Sequence, residues 1–591
     1  AVLIPCVVRV GLCGLTTFRS GWRSVMRGDL NITALMSVAV TGAFVIGQWP
    51  EAAMVMVLFV IAEWIEERSV DRARGAISDL LSAAPNRAML RQADGSWTEV
   101  EVDVIGEGAQ LRVRPGERIA LDGVVTAGHS SVDQAPITGE SMPVDKQSGD
   151  PVYAGTINQD GELEYRVTAT AGNTTLARIV RAVEQAQGAK APTQRFVDRF
   201  ARLYTPAVFA LACAVAVIPP LFLDGGWLDW IYRALVLLVV ACPCALVIST
   251  PVTLVSGLAA AARRGILIKG GLFLEMGGRI DWLALDKTGT LTQGAPVLTD
   301  VHVLPGADGS LARRLAHSLA VRSDHPVSRA LRSAGGQTSC MNVEGFAAVP
   351  GRGIRGSVAG QRYILGNQRM LREEGRGSAD ADALFADLQR NGKSVIALAG
   401  PDGPLAVFGV ADTLRPQSRD AIDRLRALGV RTVMLTGDTS PAARAMASEA
   451  GVHEVFADLL PQDKLDAVKR LQASGGRVGM VGDGINDSPA LAQADIGFAM
   501  AAAGTDTAIE TADVALMDDD LGKLALFIDM SRRTMAILKQ NIALALMTKA
   551  VFLAITLTGH ATLWMAVFAD MGVSLLVVLN GLRVLRLARA A

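Results

Sequence analysis

"WLALDKTGTLT", residues 282–292, runs a short apolar strand into Asp286 and then into a turn rich in threonine and glycine. Ligands of open α/β sheets bind at the carboxyl ends of the strands, and Asp286 stands at such an end. A carboxylate there can attack a phosphoryl group and form an aspartyl phosphate. The Thr and Gly residues that follow offer hydroxyl and backbone donors to phosphate oxygens. Taken alone, the stretch is an acidic turn after a strand. Two further strand ends change that. "MLTGDTS", 434–440, places Thr436, Gly437 and Asp438 after a second apolar strand, and "VGMVGDGINDSPAL", 478–491, places Asp483, Asn486 and Asp487 after a third. Together they make a site for Mg²⁺ and phosphate, because Mg²⁺ takes oxygens from one or two carboxylates plus the substrate. Lys464, in "LPQDK", offers the phosphate a point charge.

The rest of the 591 residues is too long for one core. Half are apolar and 19% charged, unusual for a wholly soluble chain, and a net charge of −1 does not suggest nucleic acid as a partner. The opening "AVLIPCVV", apolar and without Met, predicts a truncation inside a longer protein, with no cleavable signal peptide. Apolar runs come in three batches, near 1–62, 204–262 and 541–582, and predict six spanning helices plus a partial or interfacial one at the start. Arg and Lys cluster beside the large polar segments, in "RSVDRARG", "ARRGILIKG", "SRRTMAILK" and "RVLRLARA". The short links near Trp49–Pro50, Asp224–Trp230 and Gly559–His560 carry almost none, Arg233 excepted. The polar domains are therefore expected on the cytoplasmic side.

Between the batches, 85–175 alternates in the β manner ("WTEVEVDV", "LEYRVTAT"), while 264–530 alternates short strands with helical patterns. Within the latter, 300–410 interrupts the α/β rhythm and reads as an insertion.

"VVACPCALVIS", 239–249, places Cys242 and Cys244 around Pro243 inside an uncharged run. Proline removes a backbone donor and clashes with the preceding turn, so the helix opens there and frees carbonyls. Such a gap is tolerable at membrane depth only where it faces protein or a cavity. Thiolates on both sides suit Cu(I), Zn²⁺ or similar ions. Cys6, Cys13 and Cys213 are read instead as small buried hydrophobes, and the six cysteines do not form a disulfide scaffold. Lys549 and Asp570 interrupt the last two apolar runs, each about ten residues from the turn near Gly559–His560. Both then lie roughly 15 Å from the outer surface, at a depth similar to that of the cysteines. Ionisable groups there are costly and usually functional.

"DKTGT", "TGD" and "GDGINDSPAL", in this order, resemble the P-type ATPases over essentially the whole chain. The resemblance implies a multidomain α-helical membrane protein with cytoplasmic domains. These are a β-rich actuator and an α/β haloacid-dehalogenase-like phosphorylation domain with an inserted α+β nucleotide-binding domain. It divides the chain into membrane helices at 1–84, actuator at 85–195, two spans at 196–263, phosphorylation domain at 264–300 and 411–530, nucleotide-binding domain at 301–410 and last spans at 531–591. It implies Asp286 as the phosphorylated group, with Thr288, Lys464 and Asn486 beside it. "ITGES", 137–141, resembles the family's dephosphorylation loop, with Glu140 positioning water. Asp286, Thr288 and Asp483 would hold Mg²⁺, and Thr436, Gly437 and Asp438 would contact ATP. "SDHPVS" and "VEGFAAVPGRGIRG" resemble elements that hold the nucleotide in heavy-metal-transporting members, here His325, Glu344, Gly351 and Gly353.

"NIALALMTK" and "FADMGVSLLVVLNGLRVLR" resemble the zinc-, cadmium- and lead-exporting branch. That branch implies Cys242, Cys244 and Asp570 as ligands of the transported ion and Lys549 as an internal counter-ion. Asp570 is a hard oxygen ligand, better suited to Zn²⁺ than to Cu(I). Glu51 and Glu63 are candidates for the exit route or, equally, interfacial acids. The rivals are a Cu(I) exporter of the same family and a membrane-tethered phosphatase. The expected setting is the plasma (inner) membrane, with ATP, Mg²⁺, lipid and soluble metal donors as partners. Relatives generally carry a cysteine-bearing metal-binding domain and a further helix before the part matched here.

Overall fold

The computed structural model describes residues 19–27, 32–61, 64–65, 68, 85–134, 143–178, 181, 191–222, 226–335, 340–349, 351–390, 392–438, 440–482, 487–500 and 512–588. Glu63, Glu140, Asp483 and Asn486 lie outside them. Contacts divide the chain into one unit of Ala1–Arg279 with Phe527–Ala591 and another of Ile280–Leu526.

In the first unit, the alternating pattern of 85–175 becomes a six-stranded antiparallel sheet from Arg87–Arg91 to Leu163–Val167, with a smaller three-stranded sheet. Its inward positions, among them Leu111, Leu121, Val125, Leu163 and Tyr165, form a core. Among the described residues, four helices are long and apolar enough to cross a membrane by length and composition: Pro192–Phe222, Trp227–Ala262, Gly522–Thr556 and Leu563–Arg586. Trp227–Ala262 is broken into Trp227–Val240 and Cys244–Ala262, as proline requires. Exposed Leu211, Ile218, Leu221, Met547, Val551 and Phe568 stud the outsides of these helices, as lipid-facing surfaces demand.

The expected count of six spans is met only in part among the described residues. Ile32–Val45, with 14 residues, and Trp49–Ile61 are apolar but shorter. Such a helix rises only about 20 Å, short of a ~30 Å core.

A buried polar knot ties three helices together. Asn541 donates from Nδ2 to Thr253 Oγ1 at 3.3 Å and to the Val577 carbonyl at 3.0 Å, and Asn580 donates to Asn541 Oδ1 at 2.8 Å. Gly581 allows this closeness, since a Cβ there would lie 2.8 Å from Thr253 Oγ1. The knot sets helix register. Lys549 lies about 12 Å along one helix from Asn541 and Asp570 about 15 Å along the other from Asn580, in the same direction.

The second unit contains six parallel strands in the order Val514–Leu516, Ile496–Met500, Val478–Gly482, Trp282–Asp286, Arg431–Leu435, Glu454–Phe456. Sequence order reverses between Trp282–Asp286 and Val478–Gly482. Such a switch point is where doubly wound sheets bind their ligands.

The insertion is an antiparallel sheet whose strands run from Thr292–Val303 to Gly403–Leu414, paired with each other along their length. The boundaries expected at 300 and 411 thus fall inside these two strands. The chain enters and leaves the insertion along one paired ladder, with two register shifts, which composition does not reveal. Likewise, Ile266–Ile268 and Gly271–Gly277 group with the first unit, and the helix expected from 531 begins at Gly522.

Candidate functional site

Asp286 ends its strand and is buried, like Asp487, which immediately precedes the helix Ser488–Gln493 beyond the neighbouring strand Val478–Gly482. The two carboxylates face each other across the switch point, and like charges so placed repel. Lys464, on the helix Pro461–Ala473, resolves this: its Nζ lies 2.5 Å from Asp286 Oδ1 and 2.8 Å from Asp487 Oδ1. Burial alone would lower the Lys464 ammonium, but the two carboxylates outweigh it and hold it above its usual range.

On the other side, Thr436 is buried and its Oγ1 accepts the Asp438 backbone N–H at 3.1 Å. Asp438 pairs with Lys287 at 2.7 Å, which ties two strand ends together. Gly289, at φ 72°, turns the chain back after Thr288, whose position is exposed.

Sequence reasoning missed the clamp on this loop. Arg415 donates from Nε to the Thr292 carbonyl at 3.1 Å and from Nη2 to the Gly289 carbonyl at 3.0 Å, and pairs with Asp519 at 3.4 Å. Thr292 Oγ1 donates to Asp412 at 2.5 Å. The signal was present as "ADTLRP", where a buried strand ends in acid and base, but it lies over a hundred residues from the loop it holds.

In the insertion, His325 Nδ1 accepts the Val327 N–H at 3.3 Å and so caps the helix Pro326–Ala334. Glu344 opens an exposed strand, and Gly353 opens the strand paired with it. Gly351, at φ 70°, lies in the connection between the two strands. A Cβ at Gly353 would sit 2.4 Å from the Leu365 carbonyl.

In the first unit the helix break works as its chemistry requires. Val240 ends one half-helix, and its carbonyl, which a continuous helix would satisfy internally, accepts a proton of Lys549 Nζ at 3.1 Å. The same ammonium lies 2.8 Å from Asp570 Oδ1. The ligand atoms of Cys242, Cys244 and Asp570 all lie within 4.8 Å of one another. A small cavity beside them is lined by Val240, Ala245, Thr548 and Val573 as well as Lys549 and Asp570. The two sulfurs are bonded as a disulfide, across a Cα–Cα distance of 5.5 Å, where sequence reasoning expected free thiolates. The turn at Pro243 brings neighbouring side chains together; only the reduced pair offers two thiolates. Glu51, on the short helix Trp49–Ile61, accepts a hydrogen bond from the Tyr232 hydroxyl at 2.8 Å.

Comparison with known proteins shows the family. A family model for haloacid dehalogenase-like hydrolases matches residues 280–495, and one for the P-type ATPase actuator domain matches 82–184. A cadmium-transporting ATPase of Staphylococcus aureus is 44% identical, over 97% of this chain and 80% of its own length. The chain belongs to the heavy-metal-transporting P-type ATPases. This P-type ATPase is also 42% identical to a zinc/cadmium/lead-transporting P-type ATPase of Escherichia coli (strain K12), over 94% of the chain and 75% of that protein. A crystal structure of a zinc-transporting PIB-type ATPase in its E2.Pi state superposes with a TM-score of 0.67 at 39% identity, covering 99% of both chains. The ATPase is thus an ATP-hydrolysing membrane protein with the multidomain fold expected from its sequence.

One prediction concerns Lys464. Its raised value means that its stabilisation is full through neutral pH and fades only as pH climbs past the ordinary lysine range. In Lys464→Met, the two buried carboxylates lose this ammonium, and their proton affinity rises. The variant should therefore lose more melting temperature, relative to wild type, at about pH 8 than at about pH 5.5. Calorimetry or a dye-based melt at the two pH values checks this.

Proposed function

We propose that this P-type ATPase exports Zn²⁺, and also Cd²⁺ and Pb²⁺, across the plasma (inner) membrane, with its polar domains in the cytoplasm. Soluble metal donors would supply the ion. The observation that carries the reading is the cluster of Cys242, Cys244 and Asp570 at a proline-opened helix, with Lys549 against the carboxylate. Two reduced thiolates and a carboxylate leave one place for a fourth ligand in tetrahedral geometry, which suits Zn²⁺; a Cu(I) site would not call for the hard oxygen.

Energy enters at Asp286. Its carboxylate oxygen forms a bond to the γ-phosphorus of ATP as the bond to the ADP oxygen breaks, and ADP leaves. Lys464 is charged and within reach of the incoming phosphoryl oxygens. Thr436, Gly437 and Asp438 flank the nucleotide, while His325, Glu344, Gly351 and Gly353 hold its adenosine end. The oxygen donors around Asp286 fit Mg²⁺, which Asp286, Thr288 and Asp483 would hold and which would neutralise phosphate charge. Asn486 lies in the same motif as Asp483 and would orient the phosphoryl group. Glu140 would align the water that hydrolyses the aspartyl phosphate. Asp286→Asn should form no acid-stable phosphoenzyme from ATP, whereas Glu140→Gln should form it and accumulate it. A phosphoenzyme in the first variant, or wild-type decay in the second, would remove the respective role.

The metal is tested by ATPase activity of the reduced protein over a panel of ions. Zn²⁺, Cd²⁺ and Pb²⁺ should stimulate, and Cys242→Ser or Cys244→Ser should abolish stimulation while ATP binding survives. Strong stimulation by Cu(I) and none by Zn²⁺ would move the protein to the copper-exporting branch.

Lys549 would be the internal counter-ion. An emptied anionic site at this depth costs several kcal/mol unless it is paired, and the ammonium 2.8 Å from Asp570 supplies the pairing. While metal is bound, like charge drives the ammonium off; after release it returns and discourages rebinding. Transport would then be electrogenic. Lys549→Ala should admit metal but release it or dephosphorylate slowly, and sealed vesicles should take up Zn²⁺ without a stoichiometric return of H⁺ or K⁺. A matched return flux, or wild-type turnover in the variant, would refute this. Glu51, with Glu63, would carry the ion out.

A further inference from the structure

The Tyr232 hydroxyl joins three membrane helices at one point. It donates its single proton to Glu51 Oε2 at 2.8 Å and accepts the backbone N–H of Leu563 at 3.2 Å. Leu563 is the first residue of the last helix, so its N–H has no partner within that helix. The adjacent cap Thr562 is engaged elsewhere, accepting the Met565 N–H. Tyr232 thus fills the gap at the end of the helix that carries Asp570. It also holds Glu51 on the helix Trp49–Ile61 and stands on the half-helix that leads to Cys242.

Depth places this junction on the outer side of the ion site. Tyr232 precedes Cys242 by about 15 Å of helix, and Leu563 precedes Asp570 by about 10 Å. Both intervals run toward the short links and away from the large polar segments. The neighbouring cation is turned aside: Arg233 stacks on Trp230 at 4.7 Å and lies against the turn at Gly559, where a Cβ would come 3.0 Å from its Nη2.

We propose that Tyr232 is a positioning residue for ion release, a latch that holds the Glu51 carboxylate at the outer mouth against the start of the last helix. The inference rests on Glu51 serving the exit route. A phenol has one proton, and the backbone N–H on its oxygen fixes where that proton points. Glu51 is therefore held through one oxygen, Oε2. A departing divalent ion competes with the phenol for the carboxylate. As Glu51 turns to the ion, the tie between the helix Trp49–Ile61 and the last helix is broken, and the mouth opens where the ion needs it. The latch acts on leaving, not on binding, because Tyr232 lies two to three turns away from Cys242.

The test is a double-mutant cycle on the full chain, reduced and in liposomes, read by Zn²⁺-stimulated ATPase and by phosphoenzyme decay. Tyr232→Phe keeps the ring and removes the hydroxyl. It should lower maximal turnover about tenfold, the scale of a lost hydrogen bond to a charged group, and leave the Zn²⁺ concentration for half-stimulation within about twofold. In a Glu51→Ala background the same change should cost nothing further. A Tyr232→Phe protein with wild-type turnover overturns the latch. So does an equal loss in both backgrounds, which would mean that the hydroxyl only caps Leu563. If Glu51→Ala itself turns over like wild type, the exit role of Glu51 fails and takes the latch with it. An impaired Glu51→Ala with an additive Tyr232→Phe loss sinks the latch alone.

Discussion

Everything in the membrane part turns on one missing N–H. Pro243 cannot donate to the carbonyl one turn back, so the helix stops at Val240 and starts again at Cys244. A break at this depth leaves carbonyls that lipid cannot satisfy, and the surrounding helices must supply the partner. Lys549 does so, donating to Val240 while it pairs with Asp570. The same opening turns both cysteine side chains toward that carboxylate. Sulfur, carboxylate, ammonium and a carbonyl freed from its helix are brought together by one backbone defect.

The defect is useful only if the flanking helices keep their depth. Asn541, Thr253 and Asn580 provide that constraint through hydrogen bonds worth more inside a bundle than in water. A slip of one residue along either of the last helices would rotate Lys549 or Asp570 by about a quarter turn and separate them. At the other end of the same helices, the Tyr232 hydroxyl ties Leu563 to Glu51. The cluster of Cys242, Cys244, Asp570 and Lys549 therefore hangs between two polar fastenings, one on each side.

The cluster at Asp286 uses the same physics in a different medium. Two buried carboxylates at a sheet's switch point are held together by Lys464, while Arg415 fixes the loop carbonyls that follow Asp286. In both places an ammonium offsets the charge of the carboxylates beside it.

The order of "DKTGT", "TGD" and "GDGINDSPAL", and the proline between Cys242 and Cys244, were enough to place this chain in its family and to predict its layered α/β and membrane parts. Those features are local: a strand that ends in an acid and a helix that meets proline follow from a few adjacent residues. What the tertiary structure decided is non-local. That Lys464 bridges Asp286 and Asp487, that Arg415 grips Gly289 and Thr292, that Lys549 takes the Val240 carbonyl and that Tyr232 joins Glu51 to Leu563 each require residues far apart in the chain to meet. The insertion's limits were likewise hidden, because its first strand pairs with its last, far along the chain. Side-chain type and spacing determine which chemistry is available; the hydrogen-bonding needs of buried backbone and charge determine which of those groups are drawn together.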